Sequence, residues 1–263
     1  MKIIISLTAI PSRIPFLEPV IQSLKEQSLK ASSIELNVPR EYSKRSLGVI
    51  DVSKIPKGVD VYWMDEDLGP ASKVLPTVKR YQSEEVVIAY CDDDKIYDKD
   101  WLKRLVDKSG DNPNACIVDS GWNLVSRLHK IYWHKRPYLY KLIRALSLGR
   151  FKAGRVGDGS IQIAEGCSGV LVKPHFFDDR VFDIPDILWS VDDVWLSGWL
   201  AINGHPIIQT GVGKEKLAKD LVAEGKSIGR LSSLYDFAYK GFDRLRSDEL
   251  CINYMQDTYK IWK

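Results

Sequence analysis

Three consecutive aspartates, Asp92-Asp93-Asp94, follow the apolar run Val86-Val87-Ile88-Ala89-Tyr90 and precede Lys95-Ile96-Tyr97. A run of β-branched and aromatic residues predicts a buried strand, and α/β folds deliver functional groups at the carboxyl ends of such strands. Three carboxylates crowded there repel one another and are costly to desolvate. A hard divalent cation, Mg²⁺ or Mn²⁺, offsets that cost, because it takes oxygen ligands and bridges phosphate oxygens. The chemistry this points to is a metal–diphosphate site. The competing reading is an acidic turn, since Asp is common in turns. A second acidic pair, Asp192-Asp193, opens a helix-like segment, where carboxylates also suit the positive end of the helix dipole. Between the two lies Glu165-Gly166-Cys167-Ser168-Gly169, whose small residues let backbone approach a ligand closely or simply turn a hairpin.

The elements that must position these groups alternate along the first ~120 residues. Strands are predicted over 3–7, 34–38, 59–63, 86–90 and 115–119, and helices over 16–27, 72–80 and 101–108. Leu17, Val20, Ile21 and Leu24 fall on one face of the first helix, while Pro76 interrupts the second. Such alternation implies crossover connections and a three-layer α/β/α sandwich around a mostly parallel sheet. Further strands are expected over 161–164, 169–173 and 207–209, with a helix from Asp192 to about Asn203-Gly204. Residues 211–263 read as helical, with Leu234, Phe237, Ala238 and Phe242 as packing positions. The expected organisation is one catalytic domain over 1–211, with a basic and aromatic insertion at 120–160, and a helical extension over 212–263.

At 263 residues the chain can bury one large core. Its net charge of +3 is less telling than where the charge lies. From Ser120 to Gly157 there is no acidic residue, while Arg127, Lys130, Lys135, Arg136, Lys141, Arg144, Arg150, Lys152 and Arg155 are interleaved with Trp122, Tyr132, Trp133, Tyr138 and Tyr140. That mixture suits an anionic membrane surface or a polyanionic acceptor, or else a solvated helical face whose aromatics pack on the sheet. Nucleic acid is not expected, because no reading motif accompanies the patch. The cysteines Cys91, Cys116, Cys167 and Cys251 form no CxxC pair, so neither a zinc nor a disulfide framework is expected, and a reducing cytoplasm fits. No stretch approaches the ~20 apolar residues of a membrane span, and residues 1–7 read as a first strand rather than a signal peptide.

Together the residues resemble the GT-A-type glycosyltransferases, which use sugar-nucleotide donors. The resemblance runs over roughly the first 210 residues. It is carried by Ser6-Leu7-Thr8-Ala9-Ile10-Pro11-Ser12-Arg13, Asp67-Leu68-Gly69-Pro70-Ala71-Ser72-Lys73, the aspartate triplet, Glu165-Gly166-Cys167-Ser168-Gly169 and Asp192-Asp193-Val194-Trp195-Leu196. It implies a GT-A-like fold in which the triplet is the DxD motif. By that resemblance Asp94 binds Mn²⁺ or Mg²⁺, Asp92 contacts the metal or the ribose, and Thr8, Arg13, Asp67, Lys73 and Asp93 help hold the nucleotide. His205, beyond the acceptor-side helix, would complete the metal shell. Asp193 would be the base of an inverting reaction, supported by Asp192, although the more familiar pair is Glu-Asp. UDP is the expected nucleotide by family frequency, and the acceptor a glycan or lipid-linked molecule, met at the inner face of a membrane or as a soluble glycan intermediate in the cytoplasm.

Two other classes compete. A nucleotidyltransferase also sets carboxylates and Mg²⁺ on phosphates, but it would want a glycine-rich loop after the first strand, and residues 8–13 contain no glycine. A carbohydrate-binding module could hold structural Ca²⁺ on the triplet. It would leave Asp192-Asp193 without a task.

Overall fold

The computed structural model describes residues 1–154, 160–223, 225–231 and 237–262. In chain order the longer early strands are Lys2–Leu7 (β1), Ser33–Pro39 (β2), Asp60–Met64 (β3) and Val86–Tyr90 (β4). Then follow Lys95–Ile96 (β5), Cys116–Val118 (β6), Gly121–Trp122 (β7), Ile163–Ala164 (β8), Val170–Val172 (β9) and Ile207–Gln209 (β10). Short strands Lys219–Asp220 (β11), Val222–Ala223 (β12) and Lys226–Ser227 (β13) close the list. The helices are Glu18–Lys25 (α1), Leu75–Arg80 (α2), Trp101–Asp111 (α3), Leu124–His134 (α4), Pro137–Leu146 (α5), Asp192–Ile202 (α6) and Arg244–Tyr259 (α7).

One seven-stranded sheet runs β10-β6-β9-β4-β1-β2-β3. Strands β1 and β4 lie at its centre, and every residue of β4 is buried, as expected of a strand covered on both faces. Ile4, Ile88, Trp195 and Trp199 pack on one face, with α6 and α7. Ile3, Ile5, Ile21 and Trp101 pack on the other, with α1 and α3. The result is the three-layer sandwich that the alternation of elements implies. Only β9 runs against its neighbours. Because Val170 pairs with Tyr90, the turn that leads into β9 stands beside the aspartates that leave β4.

Some local expectations change. Pro76 sits in the first turn of α2, where its missing N–H costs nothing, so it starts the helix rather than interrupting it. A 3₁₀ turn over Gly69–Lys73 precedes it. The region after Gly211 is not helical throughout. Among the described residues its α-helix is confined to α7, capped by Asp243, whose carboxylate accepts from the Arg246 N–H at 2.8 Å. Gly211, Gly225 and Gly241 take positive φ and break the pattern upstream of it. Phe242 joins Tyr239 in an isolated antiparallel bridge, with Phe237 and Ala238 just before it, whereas Leu234 lies outside the described residues. Strand β11 pairs instead with β5, immediately after the aspartates. No helix among the described residues is long and apolar enough to cross a membrane.

The acid-free stretch forms the hairpin α4–α5. Trp133, Tyr140, Phe151 and His129 make their own cluster of edge-on and tilted rings, so these aromatics pack against one another rather than on the sheet. Arg155 lies outside the described residues.

Candidate active site

Thr8, Arg13, Asp67, Lys73, Asp92, Asp93, Asp94, Asp192 and Asp193 line one cleft at the carboxyl edge of the sheet. They arrive from four places in the chain. Thr8 and Arg13 follow β1, Asp67 and Lys73 come from the connection between β3 and α2, the triplet ends β4, and the acid pair opens α6.

Lys73 ties the donor-side and acceptor-side acids together. Its ammonium lies 2.5 Å from Asp92 and 3.0 Å from Asp192, and the side chain is only 7% exposed. Burial pulls this ammonium down, but Asp192 and Asp92, with Asp193 behind them, raise it well above the ordinary lysine value. Asp92 answers in kind: burial opposes its charge, yet Lys73 holds its carboxyl below the usual range. A buried cation shared by two carboxylates is hard to remove. Lys73→Met should destabilise the fold by about 3–5 kcal/mol, because it strands uncompensated charge. The deficit should shrink at acid pH, where Asp92, no longer held low by Lys73, can protonate. Thermal melts at pH 5 and 8 check this, and equal melting of both proteins at pH 8 would deny Lys73 that role.

Arg13 serves the other two aspartates. Its guanidinium donates to Asp93 Oδ1 at 2.7 Å and lies 3.0 Å from Asp94 Oδ2. It also donates to the carbonyls of Gly229 and Leu231 at 2.8 and 3.1 Å, fastening a strap of chain over the triplet. The strap needs glycine there, since a Cβ on Gly229 would stand 2.7 Å from Asp94 Oδ2. Burial, then Asp92 and Asp93, push the Asp94 carboxyl up to about 6. Its Oδ1 is buried and has no hydrogen-bond partner among the described residues. Asp67 presents a similar oxygen: Oδ1 accepts from the Gly69 N–H at 2.9 Å, while Oδ2 has no such partner among the described residues. Trp189 donates to the Asp67 carbonyl at 3.0 Å and walls the cleft beside it.

Asp193 is held from two sides. Its Oδ1 accepts from the Gly166 N–H at 3.1 Å, and Oδ2 lies 3.5 Å from Arg244. A Cβ on Gly166 would sit 2.8 Å from Lys73 Nζ, which explains the small residue in that turn. Burial, more than the neighbouring Asp192, raises the Asp193 carboxyl to about 7 against the pull of Lys73 and Arg244.

Arg244 was not legible as a site residue in the sequence. It projects from the first turn of α7, donates to the Ser190 carbonyl at 2.8 Å, and pairs with both Asp193 and Asp248. Asp248, fully buried, is also held by Arg127 from α4. The one available signal was a cation in a helix first turn, where the dipole disfavours it. Gly229, Tyr42 and Arg45 also line the cleft without having been singled out.

His205 is not part of the site. It lies beyond the far end of α6, about 16 Å along the helix axis from the acid pair at 1.5 Å per residue. Its Nδ1 is 2.9 Å from the Asn114 carbonyl oxygen, and its ring stacks on Phe176 at the amino edge of β10. None of the four histidines lines the cleft. The expected third metal ligand therefore has to be withdrawn.

The family model for glycosyl transferase family 2 matches residues 10–172, more than half of the chain. The chain belongs to glycosyl transferase family 2. Within this family 2 domain the matched segment carries Arg13, Asp67, Lys73 and the triplet, and ends before the acid pair. Among solved structures the chain is similar to S. aureus TarS 1-349 in complex with UDP, at 14% identity and a TM-score of 0.47, over 85% of this chain and 61% of that one. It is also similar to glucosyl-3-phosphoglycerate synthase from Mycobacterium tuberculosis with Mn²⁺, UDP and phosphoglyceric acid, at 13% identity and a TM-score of 0.46, over 84% of this chain and 71% of that one. The chain thus spans about three fifths of the TarS structure. No curated protein matches it significantly.

Proposed function

We propose that this family 2 chain transfers a sugar from a nucleotide-diphosphate sugar, with UDP as the nucleotide, to a glycan or lipid-linked acceptor, inverting the anomeric centre. The observation that carries the proposal is the single cleft in which Lys73 bridges Asp92 and Asp192, with Asp193 beside them and raised to about 7. A carboxylate poised near neutrality is suited to accept a proton from an acceptor hydroxyl. The Gly166 N–H fixes one oxygen of that base and Arg244 steadies the other. Asp67, whose Oδ2 has no hydrogen-bond partner among the described residues, would accept from a nucleobase N–H. Arg13 and Lys73 offset part of the charge of the aspartates that line the cleft, and would add charge-assisted hydrogen bonds to a diphosphate.

A divalent ion, Mn²⁺ or Mg²⁺, fits this site in one respect. No three His, Cys, Asp or Glu side chains among the described residues converge into a ready cage. Asp94 nevertheless offers a buried oxygen without a hydrogen-bond partner among the described residues, and Asp92 stands beside it. Mg²⁺ is commonly held by one or two carboxylates, with phosphate oxygens and water completing the shell. Asp94 and Asp92 would hold the ion, and its chemistry would be to offset charge on the departing diphosphate.

The peripheral setting belongs to the same reading. Residues 120–157 would bring the enzyme to an anionic surface at the inner face of a membrane, where a lipid-linked acceptor resides. A nucleotidyltransferase or a binding module leaves the raised Asp193 without work. Proton NMR of the product from an α-linked donor tests the inversion: a β-linked product is expected, and an α-linked one would remove Asp193 as base.

A further inference from the structure

Helix α5 buries no residue. Ten residues of regular helix with nothing buried need another reason to exist, since an isolated helix of this length is marginal in water. Its composition supplies one. At 100° per residue, Tyr138, Leu139, Leu142 and Leu146 fall within an arc of about 100°. Tyr140 and Ile143 lie outside that arc, Tyr140 meeting Trp133 and Phe151. Lys141 and Arg144 occupy the remaining arc.

The outward face is fully available. Tyr138 is 86% exposed, Leu142 56%, Leu146 76%, and Leu148, just past the helix, 87%. This is a contiguous apolar strip rather than scattered single residues. Four charges of the hairpin divide into two groups. Arg127 and Lys135 are neutralised by Asp248 and Glu249 of α7, on the side facing the body of the domain. Lys141 and Arg144 make no ion pair among the described residues, and no acidic residue occurs anywhere from 120 to 157 to provide one locally. Lys141 flanks the strip about 60° from Tyr138 and Arg144 lies on the opposite face, so an apolar face is backed by an uncompensated basic one, the pattern of a helix lying in a bilayer interface.

We infer that α5 docks on an anionic phospholipid surface, with Tyr138, Leu139, Leu142 and Leu146 entering the acyl boundary and Lys141 and Arg144 meeting the headgroups. A second copy of the chain seated symmetrically on the same face would bring two basic, acid-free hairpins together. The lipid surface has the opposite sign and no such conflict. The aromatic cluster Trp133, Tyr140 and Phe151 holds the hairpin together and stays out of the membrane. The inference rests on the proposed transferase only for what is served at that surface. Vesicle binding reads no sugar transfer: its failure would remove the peripheral setting proposed above and leave the transfer standing, and failure of the transfer would leave the docking standing.

Co-sedimentation of the full chain with phosphatidylcholine vesicles, with and without phosphatidylglycerol, tests this docking. Wild type should bind the anionic vesicles and only weakly the neutral ones. Lys141→Glu with Arg144→Glu should lower the affinity roughly 30-fold or more at low salt, each basic residue near such a surface being worth several-fold. Leu142→Asp with Leu146→Asp should abolish binding at both low and physiological salt, because insertion is not screened as surface charge is. Leu148→Asp gives an independent, milder loss, and unchanged thermal melts confirm that the variants fold. Wild-type binding by the double Leu variant would overturn the inference, as would equal binding to neutral vesicles. So would failure of wild type to bind any vesicle, together with self-association that the Leu variant removes, which would make the face a protein interface.

Discussion

Asp193→Asn should cut turnover by roughly 10²–10⁴-fold while leaving the affinity for a nucleoside diphosphate near wild type, the weight expected of a general base. The replacement is close to isosteric, and the Gly166 N–H can still donate to the remaining oxygen. Arg244 keeps Asp248 and the Ser190 carbonyl as partners, so it is not left stranded. The pH profile carries the same signature. Only the ionised carboxylate accepts a proton, so the wild-type rate should climb as pH rises through about 7 and level off above it. The Asn variant should lose that limb. Stability runs the opposite way: the native state holds the Asp193 proton more tightly than the unfolded chain does. The stability linked to that group is therefore complete below about pH 4 and lost as pH rises through about 7. The ligand-free Asn variant should accordingly gain on wild type in thermal melts between pH 5 and pH 8. Near-normal turnover in Asp193→Asn would remove it from the mechanism.

The two carboxylate clusters were legible because each sits at a junction of pattern: a buried strand ending in charge, and an apolar helix beginning with it. Strand order was not, yet it follows from physics that acts only in three dimensions. The single reversed strand β9 puts Gly166 against Asp193 and Lys73, a closeness visible only once Tyr90 and Val170 are paired. Arg244 was hidden for a related reason. Residues 212–263 read as a helical appendage, but glycines at positive φ divide the segment into a strap over Asp94 and a helix whose first turn enters the cleft. His205 misled because order along the chain was taken for proximity, and the whole length of α6 separates it from the acids. In the basic stretch the tryptophans and tyrosines drew attention, whereas the large apolar residues left exposed are mostly leucines.

The second large effect is expected at the triplet. Asp94→Ala should weaken Mn²⁺-dependent binding of UDP by at least about 100-fold, a loss that metal sites suffer even when a supporting residue is removed. The fold should survive. One of three mutually repelling carboxylates is gone, Arg13 keeps Asp93 at 2.7 Å, and the backbone carbonyl of residue 94 still accepts from the Leu221 N–H at 2.8 Å. Calorimetric titration with UDP, with and without Mn²⁺, reads the effect directly. Unchanged Mn²⁺-dependent affinity in Asp94→Ala would take the metal away from the triplet.

The most direct measurement of the whole account is nucleoside diphosphate release from a panel of sugar nucleotides, with Mn²⁺ and with a chelator in its place. The account predicts release from at least one UDP-sugar, dependent on Mn²⁺, lost in Asp94→Ala and strongly reduced in Asp193→Asn. Pyrophosphate release from a nucleoside triphosphate and a sugar phosphate would make the chain a nucleotidyltransferase. No release from any donor, with tight binding of a glycan, would make it a binding module. Either result would contradict the assignment of Asp193 as the base of a sugar transfer.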